Sequence, residues 1–156
     1  GHTRIEALAA AASVPVVNAL TDEHHPCQVL ADLQTVRARR GTLQGLKYAW
    51  VGDGNNMARS WAQAAALLGF ELALASPTGY ALEGGYGPTV RATTSPAEAV
   101  AGADVVITDT WASMGQEDEA AQRKAAFVGY KVDPGLMAGA APGAMVLHCL
   151  PAYRGQ

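Results

Sequence analysis

Short apolar runs and segments of helical periodicity alternate along the chain. The apolar runs that predict strands cover residues 46–51, 72–75, 105–107 and 144–148. These runs are continuous, which is typical of parallel strands buried on both faces. Because strands that alternate with helices form βαβ units, the pattern predicts an α/β fold, in which a parallel sheet has helices on both faces.

The segments between these runs carry apolar residues three or four positions apart, which predicts helices. The predicted helices cover residues 4–12, 26–40, 57–68 and 116–127, with two short ones that begin after Ser95 and Asp133. Pro26 suits the first position of its helix, and Gly41 is suited to ending it. Ser95 and Glu98 form a capping box, so a helix is expected to begin there as well.

Two remaining segments are less regular. The run from Val14 to Asn18 is β-branched, and Pro15 within it indicates an edge strand or the start of a strand. The glycine-rich stretch from Gly79 to Gly87 predicts the one long loop of the chain.

Composition and charge exclude several classes of protein. The chain has 156 residues, of which 49% are hydrophobic and 16% charged, which indicates a globular domain. Its net charge of −3 disfavours a nucleic-acid partner. The sequence contains no run of about 18 apolar residues and therefore predicts no membrane-spanning helix. Cys27 and Cys149 lie far apart and are typical of reduced thiols, so we expect a cytoplasmic protein.

Three polar loops follow predicted strands, and each carries candidate chemistry. The loops cover residues 52–57, 108–115 and 148–151. In open parallel sheets, ligands bind at the carboxyl ends of the strands. We therefore expect the three loops to meet at one edge of the sheet and to form the binding site.

The first loop matches part of a dinucleotide-binding fingerprint but departs from the rest. Gly52 and Gly54 fit the first two glycines, whereas Met57 occupies the position of the third. The loop is then either a tight strand-to-helix turn or a place where Asn55 and Asn56 present amide groups at a helix N-terminus. Amides beside the positive end of a helix suit a ligand that carries a carboxylate.

The second and third loops each place reactive side chains at the end of a strand. Asp109 can accept hydrogen bonds from a substrate ammonium group, or it can simply cap its own loop. The adjacent pair His148 and Cys149 suggests nucleophilic catalysis. Adjacent strand residues point to opposite faces, so we expect His148 to be poorly placed to activate Cys149. A buried structural thiol is the alternative.

A fourth candidate lies where the second predicted helix begins. With Pro26 at the first helical position, His25 is the N-cap and Gln28 also stands at the positive helix end, which suits a polar or anionic electrophile. A histidine at a cap is also often structural. A zinc site is a further alternative, with the potential ligands His24, His25, Cys27, His148 and Cys149. These residues lack paired C-x-x-C spacing, which makes zinc the weaker interpretation.

Four segments together resemble the ornithine carbamoyltransferase family. They read HPCQVLADLQT, VGDGNNMARS, TDTWASMGQE and HCLPAYRG, and the resemblance extends from about Ile5 to Gly155. Among carbamoyltransferases, the S-M-G loop and the D-x-N-N pattern favour ornithine over aspartate as the acceptor. The resemblance implies a Rossmann-like fold, namely the amino-acid-binding half of a two-domain enzyme. Residues 1–25 are then the tail of the carbamoyl-phosphate domain, residues 26–40 the interdomain helix and residues 41–156 the ornithine-binding domain.

The resemblance also implies an activity and a set of site residues. The reaction is transfer of a carbamoyl group from carbamoyl phosphate to the δ-amine of L-ornithine, giving citrulline and phosphate, without cofactor or metal. The implied ornithine ligands are Asn56, Asp109, Ser113 and Met114. The implied contacts to carbamoyl phosphate are His25, Gln28, Cys149 and Leu150. The implied catalytic residues are Asp109, Cys149 and His25.

The sequence also departs from the family pattern. It contains no phosphate-binding loop of the S-x-R-T-R type, it lacks the family's long segment after the H-C-L-P motif, and its region from Tyr80 to Thr89 is shorter. The chain also begins at Gly1, without a methionine. We therefore expect a cut piece of a two-domain enzyme that folds but has little or no turnover alone. The resemblance implies that the complete protein is a homo-oligomer, a trimer or a multiple of it.

Two alternatives to this function remain open from the sequence. The first is a carbamoyltransferase for another amine, such as acetylornithine or putrescine. The second is a non-catalytic module that binds an amino acid. A phosphate-binding loop encoded upstream of Gly1 in the source gene would exclude the second alternative.

Overall fold

The computed structural model describes residues 1–111 and 119–153 and contains a five-stranded parallel sheet. The strands are β1 (Lys47–Val51), β2 (Glu71–Ala75), β3 (Val90–Thr93), β4 (Val105–Thr108) and β5 (Met145–His148). The helices are α1 (His2–Ala11), α2 (Pro26–Arg40), α3 (Asn56–Leu68), α4 (Pro96–Val100), α5 (Ala120–Ala126) and α6 (Pro134–Met137). The strand order is β3-β2-β1-β4-β5, and the predicted α/β fold is confirmed.

Alternate residues of the central strand enter two hydrophobic clusters, one on each face of the sheet. Tyr48 and Trp50 of β1 belong to the cluster that includes buried residues of α2 and α3. Ala49 and Val51 belong to the other cluster, which includes residues of α4 and Phe127 at the end of α5. Both faces of the sheet are therefore covered, which explains why the strands read as continuous apolar runs.

The predicted boundaries of two helices are confirmed. Pro26 is the first residue of α2, and Gly41 follows its last residue with a φ of 77°, a left-handed conformation that glycine adopts easily. The side chain of Ser95 caps α4 by accepting a hydrogen bond from the backbone N–H of Glu98 at 3.2 Å. The predicted helix start at residue 116 lies outside the described residues.

Two expectations about strands are wrong. The run from Val14 to Asn18 forms no strand, because it pairs with no other strand in the part of the chain that the structure describes. Conversely, β3 lies in a segment for which the sequence predicts none. Its central residues Arg91 and Ala92 are exposed at the edge of the sheet, so no continuous apolar run marks it.

The first segment of the chain contributes little to the core. α1 contains no buried residue, and its Leu8 is 57% exposed. One link to the following segment is a hydrogen bond between Nδ1 of His2 and the hydroxyl of Thr21, at 3.1 Å. Across residues 1–111 and 119–153, no helix combines the length and the apolar character needed to cross a membrane.

Gly54 allows the turn after β1 to pack directly against the glycine-rich loop. Its backbone N–H donates to the carbonyl of Tyr80 at 2.7 Å. A Cβ atom at position 54 would lie 2.4 Å from the backbone nitrogen of Leu82, closer than atomic contact permits. The second glycine of the fingerprint-like turn is therefore explained by packing between two loops of the chain.

We predict that Gly54→Ala destabilises the folded chain, because the new methyl group forces two backbone segments apart. Overpacking of this kind costs about 1–3 kcal/mol. Gly85→Ala is the matched control, since a Cβ at position 85 meets no atom within 4 Å. Urea unfolding of wild type and both variants measures the difference, and equal midpoints for all three would contradict the packing role.

Candidate active site

The carboxyl ends of three strands lie side by side because their registers match. Val51 at the end of β1 pairs with Thr108 at the end of β4, and Thr108 pairs with His148 at the end of β5. The residues that follow these strands therefore leave the sheet at the same level, as the sequence predicts. The chain runs from β1 to one side of the sheet and returns to β4 on the other side. The crevice between β1 and β4 is the usual ligand position in such sheets.

Asn55 joins the first of these loops to the second. Its side-chain oxygen caps α3 by accepting from the backbone N–H groups of Met57 and Ala58, at 3.0 and 3.1 Å. Its side-chain nitrogen donates to Oδ2 of Asp109 at 2.8 Å. Oδ1 of Asp109 accepts from the backbone N–H of Thr110 at 2.7 Å, so the carboxylate has a fixed orientation. The resemblance assigns Asn55 no role in binding, although Asn55 is part of the D-x-N-N pattern, and the sequence marks it as a candidate through its place at a helix N-terminus.

Asn56, the ornithine ligand implied by the resemblance, makes a contact within the chain. Its side-chain nitrogen donates to the backbone carbonyl of Thr21 at 2.8 Å, which ties α3 to the segment before α2. The hydroxyl of Ser60 makes a second tie, since it accepts from the backbone N–H of His25 at 2.9 Å. An amide nitrogen carries two N–H groups, so Asn56 keeps a second donor beyond the one that Thr21 engages.

Cys149 and His148 converge on Asp109 at the end of β5. A carboxylate oxygen of Asp109, a ring nitrogen of His148 and the sulfur of Cys149 all lie within 4.8 Å of one another. The expectation that His148 and Cys149 point apart is therefore wrong. The strand ends at His148, and Leu150, with a φ of 55°, donates its backbone N–H to Nδ1 of His148 at 2.9 Å. The chain turns here, so the alternation of a strand no longer applies.

The surroundings of Cys149 favour the neutral thiol. Burial raises the pKa of the Cys149 thiol far above its usual range, and the nearby carboxylates of Asp109 and Asp32 raise it further. The thiolate is the reactive form of cysteine, and it is scarce at neutral pH under these conditions. Cys149 is therefore suited to donating a hydrogen bond and poorly suited to nucleophilic catalysis.

The start of α2 carries the predicted carbamoyl contacts. His25 is the N-cap, and its Nδ1 lies 2.8 Å from the carbonyl of Ala19. A carbonyl only accepts hydrogen bonds, so Nδ1 carries a proton. Gln28 donates from Nε2 to Oδ1 of Asp32 at 3.0 Å. Asp32 also lies near Cys149, so this end of α2 faces the thiol that contacts Asp109.

The potential zinc ligands do not come together as one group. Cys27 is exposed, and its sulfur contacts the carbonyl of Asn18 at 3.5 Å. Among the described residues, the groups of three potential metal ligands are Asp109 with His148 and Cys149, and His2 with Glu23 and His24. Neither group brings His24 or His25 together with His148 and Cys149. The predicted zinc site of five residues is therefore wrong.

A buried ion pair lies beneath this edge of the sheet. Asp53, just after β1, accepts from a guanidinium nitrogen of Arg123 in α5 at 2.7 Å, and both side chains are 9% exposed. Burial raises the pKa of the Asp53 carboxyl, whereas the positive charge of Arg123 opposes that shift. The same nitrogen of Arg123 donates to the carbonyl of Trp111 at 3.1 Å. Sequence reasoning missed this pair, whose members lie 70 residues apart.

Trp111 lies in the loop that contains two predicted ornithine ligands. Ser113 and Met114 lie outside the described residues. The pair of Arg123 with Asp53 therefore fixes the described end of this loop relative to β1.

Two family models match separate parts of the chain. The model for the aspartate/ornithine carbamoyltransferase Asp/Orn-binding domain matches residues 44–156. The model for the carbamoyl-P-binding domain of the same family matches residues 1–38. The two matches meet near the end of α2.

Curated relatives named ornithine carbamoyltransferase match the whole chain. The protein from Geobacter sulfurreducens is 55% identical over 164 residues, covering 100% of this chain and 54% of the relative. The protein from Methanoculleus marisnigri is 51% identical over 162 residues, covering 99% of this chain and 52% of the relative. The chain thus spans about half the length of the curated relatives it matches.

Solved structures of ornithine carbamoyltransferases share the fold. The enzyme from Campylobacter jejuni has a TM-score of 0.93 and 39% identity, covering 99% of this chain and 55% of that one. The enzyme from Pyrococcus furiosus has a TM-score of 0.91 and 42% identity, covering 99% of this chain and 53% of that one. Together with the family models, these likenesses confirm the resemblance seen in the sequence. The chain belongs to the aspartate/ornithine carbamoyltransferase family.

Proposed function

We propose that this chain supplies the ornithine-binding part of an enzyme that makes citrulline and phosphate from carbamoyl phosphate and L-ornithine. The observation that carries the proposal is the oriented carboxylate of Asp109 beside the neutral thiol of Cys149, at the carboxyl end of the sheet. The Asp109 carboxylate suits the α-ammonium group of a cationic amino acid. The neutral Cys149 thiol suits a second amine that must be uncharged to react. The names of the relatives support the same reaction.

On the ornithine side, the roles follow the polarity of the amino acid. Asn56 binds the carboxylate through its second side-chain N–H, beside the positive N-terminus of α3. Asp109 and Ser113 bind the α-ammonium group, and the backbone of Met114 assists them. The roles of Ser113 and Met114 rest on the resemblance of their loop to the family's S-M-G segment.

On the carbamoyl side, the contacts come from α2 and the end of β5. Gln28 and the carbonyl of Leu150 bind the carbamoyl amino group, and His25 polarises the carbamoyl oxygen. Nδ1 of His25 already donates its proton to the carbonyl of Ala19. To polarise the carbamoyl oxygen, His25 therefore needs a second proton, which is carried by Nε2. Cys149, which lies near both Asp109 and Asp32, faces the reacting amine.

The reaction begins when the δ-ammonium group of ornithine loses a proton. Partial desolvation next to Cys149 favours the neutral amine, while Asp109 orients the amino acid. The amine nitrogen attacks the carbamoyl carbon, and a tetrahedral oxyanion forms that His25 stabilises. The bond between the carbon and the phosphate oxygen then breaks, and the departing phosphate takes that electron pair and accepts the remaining extra proton of the nitrogen.

The same proposal covers domain division, location and assembly. Residues 1–25 belong to the carbamoyl-phosphate domain, residues 26–40 connect the domains and residues 41–156 bind ornithine. The family matches, which cover residues 1–38 and 44–156, support the second of these boundaries. Both cysteines are free, which supports a reducing cytoplasmic location. The resemblance supports a homotrimer or a multiple of it, and a role in arginine biosynthesis or catabolism.

We predict that Asp109→Asn in the full-length protein lowers citrulline formation by about 100-fold, the loss that misplacement of a bound reactant can cause. The same change raises KM for ornithine, because an ammonium ligand loses its charge. Asp104→Asn is the matched control. Asp104 lies at the opposite end of β4, where it accepts from the backbone N–H of Lys47 at 2.9 Å. Unchanged activity and ornithine KM in Asp109→Asn would rule out the assignment.

We predict that iodoacetamide labels Cys27 well before Cys149 in the folded chain. Cys27 is exposed, whereas the raised pKa of Cys149 leaves little of the reactive thiolate. Asp109→Asn removes a negative charge beside Cys149, so it lowers the pKa and speeds labelling there. Peptide mass spectrometry of timed samples measures both rates. If Cys149 is labelled first, or if Asp109→Asn slows it, the thiol is not the neutral donor proposed.

A further inference from the structure

Asp32 is a buried carboxylate that has a partner for only one of its oxygens. It lies in α2 and is 7% exposed. Oδ1 accepts from Nε2 of Gln28 at 3.0 Å, whereas Oδ2 has no hydrogen-bond partner among the described residues. A buried carboxylate oxygen without a hydrogen-bond partner lowers the stability of the fold. A contribution to stability therefore does not explain why an aspartate occupies this position.

The other buried carboxylate near the site is neutralised differently. Asp53 has the guanidinium of Arg123 at 2.7 Å. Asp32 has the neutral amide of Gln28 instead, and burial raises the pKa of its carboxyl. Because the folded-state pKa is higher than the unfolded one, the stability associated with this group is lost as pH rises through the folded-state value. At neutral pH the Asp32 charge therefore opposes folding.

Helical spacing places Asp32 on the same face as two proposed carbamoyl contacts. Positions 25, 28 and 32 are separated by three and four residues, so they lie along one side of α2. The carboxylate of Asp32 acts electrostatically on both His25 and Cys149. It thus lies behind the side chains that face the carbamoyl group in the proposed reaction.

The contact with Asp32 determines which atom of the Gln28 amide, the oxygen or the nitrogen, is free to contact the carbamoyl group. The oxygen and nitrogen of a glutamine amide are nearly equal in size, so its hydrogen bonds alone select the orientation. An ionised carboxylate accepts hydrogen bonds only, so it selects the Gln28 nitrogen and directs Oε1 away. A carbamoyl amino group is a donor, so it needs an acceptor at that place.

We propose that Asp32 is a positioning residue that makes Gln28 specific for the amino group of carbamoyl phosphate. The inference rests on the proposed function and adds a specificity device to it. With Asp32 in place, Oε1 of Gln28 accepts from the carbamoyl N–H. Without it the amide rotates, and an N–H group then meets the N–H of the substrate. Acetyl phosphate carries a methyl group in place of the amino group, so this contact also discriminates against it.

The test uses the full-length protein with Asp32→Leu, which removes the acceptor, and Asp32→Asn, which removes the charge and keeps an oxygen. We expect Asp32→Leu to raise KM for carbamoyl phosphate at least tenfold, with KM for ornithine changed less than twofold. In Asp32→Leu, the inhibition constant of acetyl phosphate is expected to rise by a smaller factor than KM for carbamoyl phosphate. The unfolding midpoint at neutral pH stays equal or rises in both variants, which a purely structural role would not give. Gln34→Leu, at an exposed position of α2, is the control and leaves both KM values unchanged.

A double-mutant cycle with Gln28→Leu then isolates the coupling. Since Asp32 acts through Gln28, the double variant is expected to have the same carbamoyl phosphate KM as Gln28→Leu alone. Fully additive effects would overturn the proposal, as would an unchanged KM in folded Asp32→Leu. A lowered unfolding midpoint with both KM values intact would overturn it too. These outcomes leave the proposed function in place, whereas a wild-type protein that forms no citrulline refutes the proposed function itself.

Discussion

The site depends on the in-register parallel pairing of β1, β4 and β5. Val51, Thr108 and His148 end their strands side by side. The residues that follow them are therefore close together as soon as they leave the sheet. A slip of one residue in β5 would move Cys149 away from Asp109 and turn every side chain of the strand to the other face. The chemistry of the site is thus a consequence of backbone hydrogen bonding within the sheet.

Around this edge, buried carboxylates are handled in two ways. Asp53 is paired with Arg123, which also donates to the carbonyl of Trp111 in the loop after β4. Within the part of the chain that the structure describes, Asp32 has only an amide as its hydrogen-bond partner, and burial raises the pKa of its carboxyl. The first arrangement compensates the buried charge within the fold. The second compensates the charge less than burial penalises it, which is typical of a group retained for recognition rather than for stability.

Much of the fold could be predicted from the sequence, because buried parallel strands and helix caps leave local signals. The strand of Val90–Thr93 could not, since an exposed edge strand needs no apolar run. The site was predictable at the level of its loops and family motifs. The bond from Asn55 to Asp109 joins residues 54 positions apart, and the turn after His148 depends on backbone geometry beyond the strand. Such contacts leave no local pattern, so only the three-dimensional arrangement reveals them.

In the proposed reaction, this edge of the sheet selects ornithine as the acceptor of a carbamoyl group. The direct test is transfer of a radiolabelled carbamoyl group from carbamoyl phosphate to a panel of amines by the full-length protein. We expect labelled citrulline from L-ornithine and little product from N-acetylornithine, which lacks a free α-ammonium group, or from putrescine, which lacks a carboxylate. Equal transfer to either analogue, or no transfer to ornithine, would contradict it.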